Sequence, residues 1–98
     1  MIELTNSKKK DLKAQAQQLE PILRVGQAGV SPAFIASLDE ALGLHELVKI
    51  KFAEFKEEKK TLAPEIAAKT GSELVMRVGN VAVYYRPKSS KSRDDGAH

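Results

Sequence analysis

Hydrophobic and polar positions alternate strictly between residues 46 and 52: Val48, Ile50 and Phe52 share one face of an extended chain, and Leu47, Lys49 and Lys51 share the other. That period of two predicts a strand with one wet face. Elsewhere the period is helical. Leu12, Ala16 and Leu19 recur at helix spacing over residues 5–19, with Lys8, Lys9 and Lys13 on the wetter sides and Pro21 as the stop. Over residues 32–42 a stripe of Phe34, Ile35, Leu38, Ala41 and Leu42 predicts a second, core-facing helix ended by Gly43. Residues 56–70 consist of strong helix formers with Leu62, Ile66 and Ala67 in line and Gly71 at the end. Pro64 removes one internal hydrogen bond there, which predicts either a kinked helix or a shorter one capped at Thr61.

Two further strands are expected at residues 73–78 and 81–86, joined by a tight turn at Gly79-Asn80, both residue types that tolerate positive φ. Pairing Val78 with Val81 aligns Met76 with Val83 and Leu74 with Tyr85 on one face, which is taken as the core face. Arg77 with Ala82, Val75 with Tyr84 and Glu73 with Arg86 then fall on the other. With a short strand at residues 22–25, the order is αβαβαββ, an α/β (α+β) two-layer sandwich built on a four-stranded mixed sheet. Right-handed crossovers place the second and third helices on one side, leaving the opposite face at least partly open. By parity the open face collects Lys49, Lys51, Arg77, Tyr84 and Arg86, and Arg24 joins them if Leu23 and Val25 point inward.

The stretch ILRVGQAGVSP, residues 22–32, carries the most specific local chemistry. It sets a Gly-x-x-Gly loop, Gly26, Gln27, Ala28 and Gly29, between the end of a strand and a helix start marked by Ser31 as N-cap and Pro32 at the first helical position. Glycine lets the main chain approach a ligand closely, and the helix start offers N–H groups and the positive end of a dipole, so a phosphate backbone fits there. The same spacing also suits a plain strand-to-helix connection.

Ninety-eight residues without cysteine describe one small domain that uses neither disulfides nor thiolate metal sites. The net charge of +3 permits nucleic-acid binding without demanding it. Its distribution says more: Lys8, Lys9, Lys10 and Lys13 cluster near the start, and Arg86, Lys88, Lys91 and Arg93 follow the last strand. His45 lacks a cysteine or second histidine nearby, so a turn or capping role is expected and no metal site. No motif suggests a catalytic triad or an acid/base pair, so no enzyme activity and no cofactor are expected. No apolar leader or spanning segment is present, which predicts a soluble, cytoplasmic protein; a monomer is expected, and residues 88–98 are polar enough for disorder to be expected.

Four segments in order, ILRVGQAGVSP, HELVKIKF, KTG and VGNVAVYYRP, behind a lysine-rich opening helix, resemble the YhbY family, bacterial stand-alone members of the CRM domain. The resemblance covers residues 1–87. It implies a fold similar to the C-terminal domain of translation initiation factor 3, with strand order 1-2-4-3 and the fourth strand antiparallel. It also implies an RNA-binding protein that associates with precursors of the large ribosomal subunit and assists ribosome assembly; related plant domains serve in group II intron splicing. The family's loop contact carries over onto Gly26, Gln27, Ala28 and Gly29, but no charge lies inside this loop, so Arg24 and backbone N–H groups would have to serve. The expected RNA surface is this loop with Arg24, Lys8, Lys9, Lys10, Lys13, Lys49, Lys51, Arg77, Tyr84 and Arg86. The alternative is a protein-interaction module that uses the open sheet or the second helix without touching RNA.

Overall fold

A computed structural model describes residues 5–87; the expected tail at residues 88–98 lies outside the described residues. Helix α1 (Asn6–Ala16) starts where Thr5 Oγ1 accepts the N–H of Lys8. Strand β1 (Leu23–Val25) leads through the glycine loop into α2 (Pro32–His45), whose start is fixed by Ser31 Oγ accepting the N–H of Phe34 and by Pro32 in the first turn. Strand β2 (Leu47–Phe52) is followed by a single 3₁₀ turn (Lys56–Glu58) and α3 (Lys59–Thr70). The hairpin of β3 (Glu73–Val78) and β4 (Val81–Tyr85) completes the chain. Among the described residues no helix is long and apolar enough to cross a membrane.

The sheet has the expected order β1-β2-β4-β3, with β1 parallel to β2 and β4 antiparallel to both its neighbours. One face packs on α2 and α3: Val25, Val48, Ile50, Phe52, Ala82 and Tyr84 are buried against Phe34, Leu38, Leu42, Ala63 and Ile66. The other face is not simply open. Helix α1 lies on it, burying Leu12 and Ala16 against Leu47, Val75, Val83 and Tyr85. A narrow amphipathic helix needs only this half-covered sheet to hide its two core residues.

That second core inverts the expected assignment of β4, Met76 and Arg77, while Leu74 packs on the main core and Val75 on the other face as expected. Residues directly opposite in an antiparallel pair share a face, and Val48 pairs with Tyr84 while Leu47 pairs with Tyr85. Tyr84 and Ala82 therefore join the main core, and Tyr85 and Val83 lie under α1. Both faces of the hairpin are apolar because β4 is central and covered on both sides, so polarity alone could not assign its parity. The register agrees for Val78–Val81, Arg77–Ala82 and Met76–Val83, then shifts between Leu74 and Met76. This irregularity brings Leu74 opposite Tyr84 and Glu73 opposite Tyr85, in place of Tyr85 and Arg86.

Three helix ends also differ from expectation, the first being that of α1, which stops at Ala16 and not at Leu19. Helix α2 passes through Gly43 and stops at Glu46, which has φ 62° and donates its N–H to Leu42 O. Glycine inside a helix costs only about 1 kcal/mol, so Gly43 does not by itself end one. Helix α3 starts at Lys59 and runs through Pro64, so the shorter helix capped at Thr61 does not form. Its end is as expected, at Gly71 with φ 64°.

Candidate nucleic-acid interface

The carboxyl ends of β1 and β2, the start of α2 and the turn of the hairpin meet at one end of the sheet. Ala53 and Glu54 both donate their N–H groups to Val25 O, at 3.1 and 3.0 Å, and Phe52 N–H reaches Asn80 O at 2.7 Å. Within this rim the glycine loop closes as a turn, Gly29 N–H to Gly26 O at 2.9 Å, with Gly29 at φ 71°. That conformation favours glycine at position 29. Gly26 has no such constraint, and a Cβ placed there would meet nothing within 4 Å. Pro32 has no N–H and Phe34 spends its own on Ser31, so the first turn of α2 is left with the N–H groups of Ser31 and Ala33 to offer a ligand.

Two cations stand beside the loop. Leu23 and Val25 point into the core, so Arg24 emerges on the α1 side of the sheet, and its register partner across the parallel pair is Lys51. Both are exposed, and neither forms an ion pair or hydrogen bond with a described residue. The conditional expectation for Arg24 is thus met, and the strand alternation places Lys51 as anticipated.

Three of the other expected positions lie on the opposite side, and Lys49 lies on the expected side but is engaged within the fold. Lys49 is on the same side as Lys51 but is half-buried, its Nζ donating to Ala16 O at 3.2 Å and Leu19 O at 3.0 Å. It caps the carboxyl end of α1, where the last carbonyls lack helical partners and the dipole favours a cation. Tyr84 is not a surface aromatic: it is wholly buried on the opposite face, where its hydroxyl donates to Ala63 O at 2.9 Å. Burial pushes its pKa well above the ordinary tyrosine value. Arg86 is on that opposite side too, bound through Nη1 to Asp39 Oδ1 at 2.6 Å and Thr70 O at 2.8 Å, and through Nη2 to Asp39 O at 2.9 Å. It fastens the end of β4 to α2 and α3. Arg77, half-exposed, follows Ala82 to that side by register.

The α1 lysines remain at the surface. Lys8, Lys10 and Lys13 are exposed and Lys9 is half-buried; Lys8 Nζ sits 5.4 Å from the centroid of the Tyr85 ring. Helix α1 lies on the side of the sheet that carries Arg24 and Lys51. The expected open basic sheet is thus replaced by a helix layer bearing lysines, with two strand cations at the glycine loop.

One residue of this region escaped sequence reasoning. Phe55 has φ 58° and ψ 37°, and its ring lies against Gly29: a Cβ at Gly29 would stand 3.4 Å from Phe55 Cε2 and 3.5 Å from Cζ. A phenylalanine among charged residues gives no period, and its left-handed backbone carries no residue signature.

The geometry is that of a known domain. The family model of the CRS1/YhbY (CRM) domain matches residues 4–86. The chain belongs to that family. Among relatives of this CRM domain, the "Probable RNA-binding protein PA4753" of Pseudomonas aeruginosa is 36% identical over 91% of this chain and 88% of its own. The "Probable RNA-binding protein YqeI" of Bacillus subtilis is 34% identical over 85% of this chain and 88% of its own. A solution structure of SAV1595 from Staphylococcus aureus, described as a candidate RNA binder, superposes with a TM-score of 0.73 at 33% identity, covering 87% of this chain and 90% of that one.

Proposed function

We propose that this CRM domain binds RNA through the glycine-loop end of its sheet, and that it does so on precursors of the large ribosomal subunit to assist their assembly. The observation that carries the reading is the pair Arg24 and Lys51, exposed register partners beside a loop where the main chain is open to close approach. Relatives that span nearly the same length are named as RNA-binding proteins, which supports the ligand class. The lysines of α1 extend the positive surface on the same side of the sheet. Cations at this spacing attract phosphates and release counterions, which gives affinity without sequence reading. The chain works in this reading as a binding protein, not an enzyme.

Sedimentation tests it. The tagged protein, in extracts of growing cells at low salt, is expected to travel with large-subunit precursor particles and to move to lighter fractions when Gly26 is replaced by aspartate. Gly26→Asp is preferred to a change at Gly29 because position 26 has room for a side chain, so the added charge acts without strain. Recovery of the wild-type protein only in ribosome-free fractions would overturn the assembly role.

A second reading rests on a largely apolar cleft of about 310 Å³ between the end of α1 and the hairpin, lined by Ala16, Met76, Val78, Val81 and Val83 together with Gln17 and Lys49. Val78 is 61% exposed there. A protein partner seated on it would bind with little dependence on salt, whereas RNA binding weakens by roughly 0.7 log units per contacted phosphate per log unit of salt for a single strand.

A further inference from the structure

Phe55 is an exposed aromatic held in place by its surroundings at some energetic expense. A left-handed backbone costs a non-glycine residue about 1–2 kcal/mol. Here it is imposed by the paired bonds from Ala53 and Glu54 to Val25 O on one side and by Glu58 N–H to Phe55 O at 3.1 Å on the other. The result is a ring resting on Gly29 with 40% of the residue still open to solvent. Packing alone does not require this: an asparagine or glycine would fit the backbone better and leave the core intact, since Phe55 belongs to neither buried cluster.

We infer that Phe55 is a stacking platform for one unpaired base of the bound RNA, a role that rests on the RNA-binding reading above. The surrounding charges divide the work. Glu54, Glu57 and Glu58 are exposed in the cleft at the ring against one lysine, Lys56, while the Lys59 ammonium is bound to Asn80 Oδ1, so this side draws phosphate less than the Arg24 side. It suits a neutral base, whose amino and imino N–H groups find carboxylate acceptors. Across the loop, Arg24 and Lys51 attract the backbone. An unpaired strand passing over Gly26–Gly29 would thus lay its phosphates toward Arg24 and turn a base onto Phe55. Stacking on an aromatic is tolerant of base identity, and the carboxylates favour bases that present donors.

The chain contains no tryptophan, so Phe55→Trp places a single fluorescent reporter at the site. Titrated with a 12-nucleotide single-stranded RNA of mixed sequence, its fluorescence is expected to be quenched, and inorganic polyphosphate of similar charge is expected not to quench it. Phe55→Leu and Phe55→Asn, the second chosen because asparagine suits the left-handed backbone, are expected to bind the same RNA roughly 5- to 100-fold more weakly, the range of a lost stacked base. The slope of log affinity against log salt should stay at the wild-type value, because no phosphate contact is removed. Wild-type affinity in folded Phe55→Leu and Phe55→Asn, or unquenched tryptophan at saturating RNA, would overturn the stacking role while leaving the loop reading standing. A tryptophan signal that responds to a ribosomal protein and not to RNA would reassign the ring to a protein contact. Failure of the wild-type chain to bind RNA at all would instead remove the reading on which the platform rests.

Discussion

Replacing Tyr84 by phenylalanine removes one oxygen from a wholly buried ring and should separate a structural tyrosine from a surface one. The hydroxyl donates to Ala63 O at 2.9 Å inside the main core. A hydrogen bond of this kind contributes about 0.5–1.5 kcal/mol net, so Tyr84→Phe is expected to be less stable by about 1 kcal/mol at neutral pH. In a domain of this size that lowers the midpoint of thermal unfolding by about 4–8 °C. The pH dependence adds a sign. Below the ordinary tyrosine pKa of 10.0, both folded and unfolded chains keep the phenolic proton, and the difference between the two proteins is constant. Above it the unfolded chain releases the proton while the buried hydroxyl holds it, so wild-type stability falls by up to about 1.4 kcal/mol per pH unit until the raised folded pKa is reached. The variant lacks that loss, and every other side chain is common to the two proteins. The two stability curves should therefore cross between about pH 10 and 11. Urea unfolding followed by circular dichroism at pH 8, 10 and 11 measures this directly. Parallel curves across that range would refute the buried, hydrogen-bonded assignment, and loss of RNA affinity without loss of stability would put the hydroxyl at the interface.

Lys49→Met should lower stability by about 1–3 kcal/mol by removing the charged donor from Ala16 O and Leu19 O, and hydrogen exchange should show the loss first in the amides of α1. Equal protection of α1 in both proteins would contradict the capping role. Arg86→Lys should destabilise nearly as much as Arg86→Ala, because one ammonium cannot replace the guanidinium fork on the Asp39 carboxylate, Asp39 O and Thr70 O; thermal unfolding of the two variants compares them. Gly29→Ala should cost about 1–2 kcal/mol for its positive φ, whereas Gly26→Ala should stay within about 0.5 kcal/mol, and equal urea midpoints would deny the difference in backbone geometry.

The element order and the placement of Lys51 were legible because they follow from strong local signals, the alternation over β2, the Ser31-Pro32 helix start and the Gly79-Asn80 turn, whereas the strand order was implied only by the family resemblance. Which face of the hairpin meets α2 and α3 was not, since Val81, Val83 and Tyr85 are as apolar as Ala82 and Tyr84. Only the long-range pairing with β2 and the covering by α1 decide it. The same blindness misassigned Arg77, Arg86 and Tyr84, whereas Lys49 was placed on its proper face and missed only as a helix cap. Lys49 and Arg86 are polar at the tip, yet their tips answer carbonyls of distant segments, α1 in one case and α2 with α3 in the other. Charge counted along a sequence does not distinguish a cation facing solvent from one closing a helix. Phe55 escaped for the complementary reason, because its exposure and its backbone conformation are imposed by Val25 and Glu58.

In the proposed binding mode Arg24 and Lys51 touch RNA phosphates beside the glycine loop. The most direct test is the affinity of the chain for a single-stranded ribosomal RNA fragment, measured from low to moderate salt for the wild type and for the doubly substituted Arg24→Glu, Lys51→Glu variant. Both residues are exposed, so the variant should fold with nearly unchanged stability. Its affinity is expected to fall at every salt concentration, and the slope of log affinity against log salt to flatten by roughly 1.4, two phosphate contacts at about 0.7 each. An affinity and a slope indistinguishable from the wild type, in a folded variant, would contradict the account and move the RNA surface away from this end of the sheet.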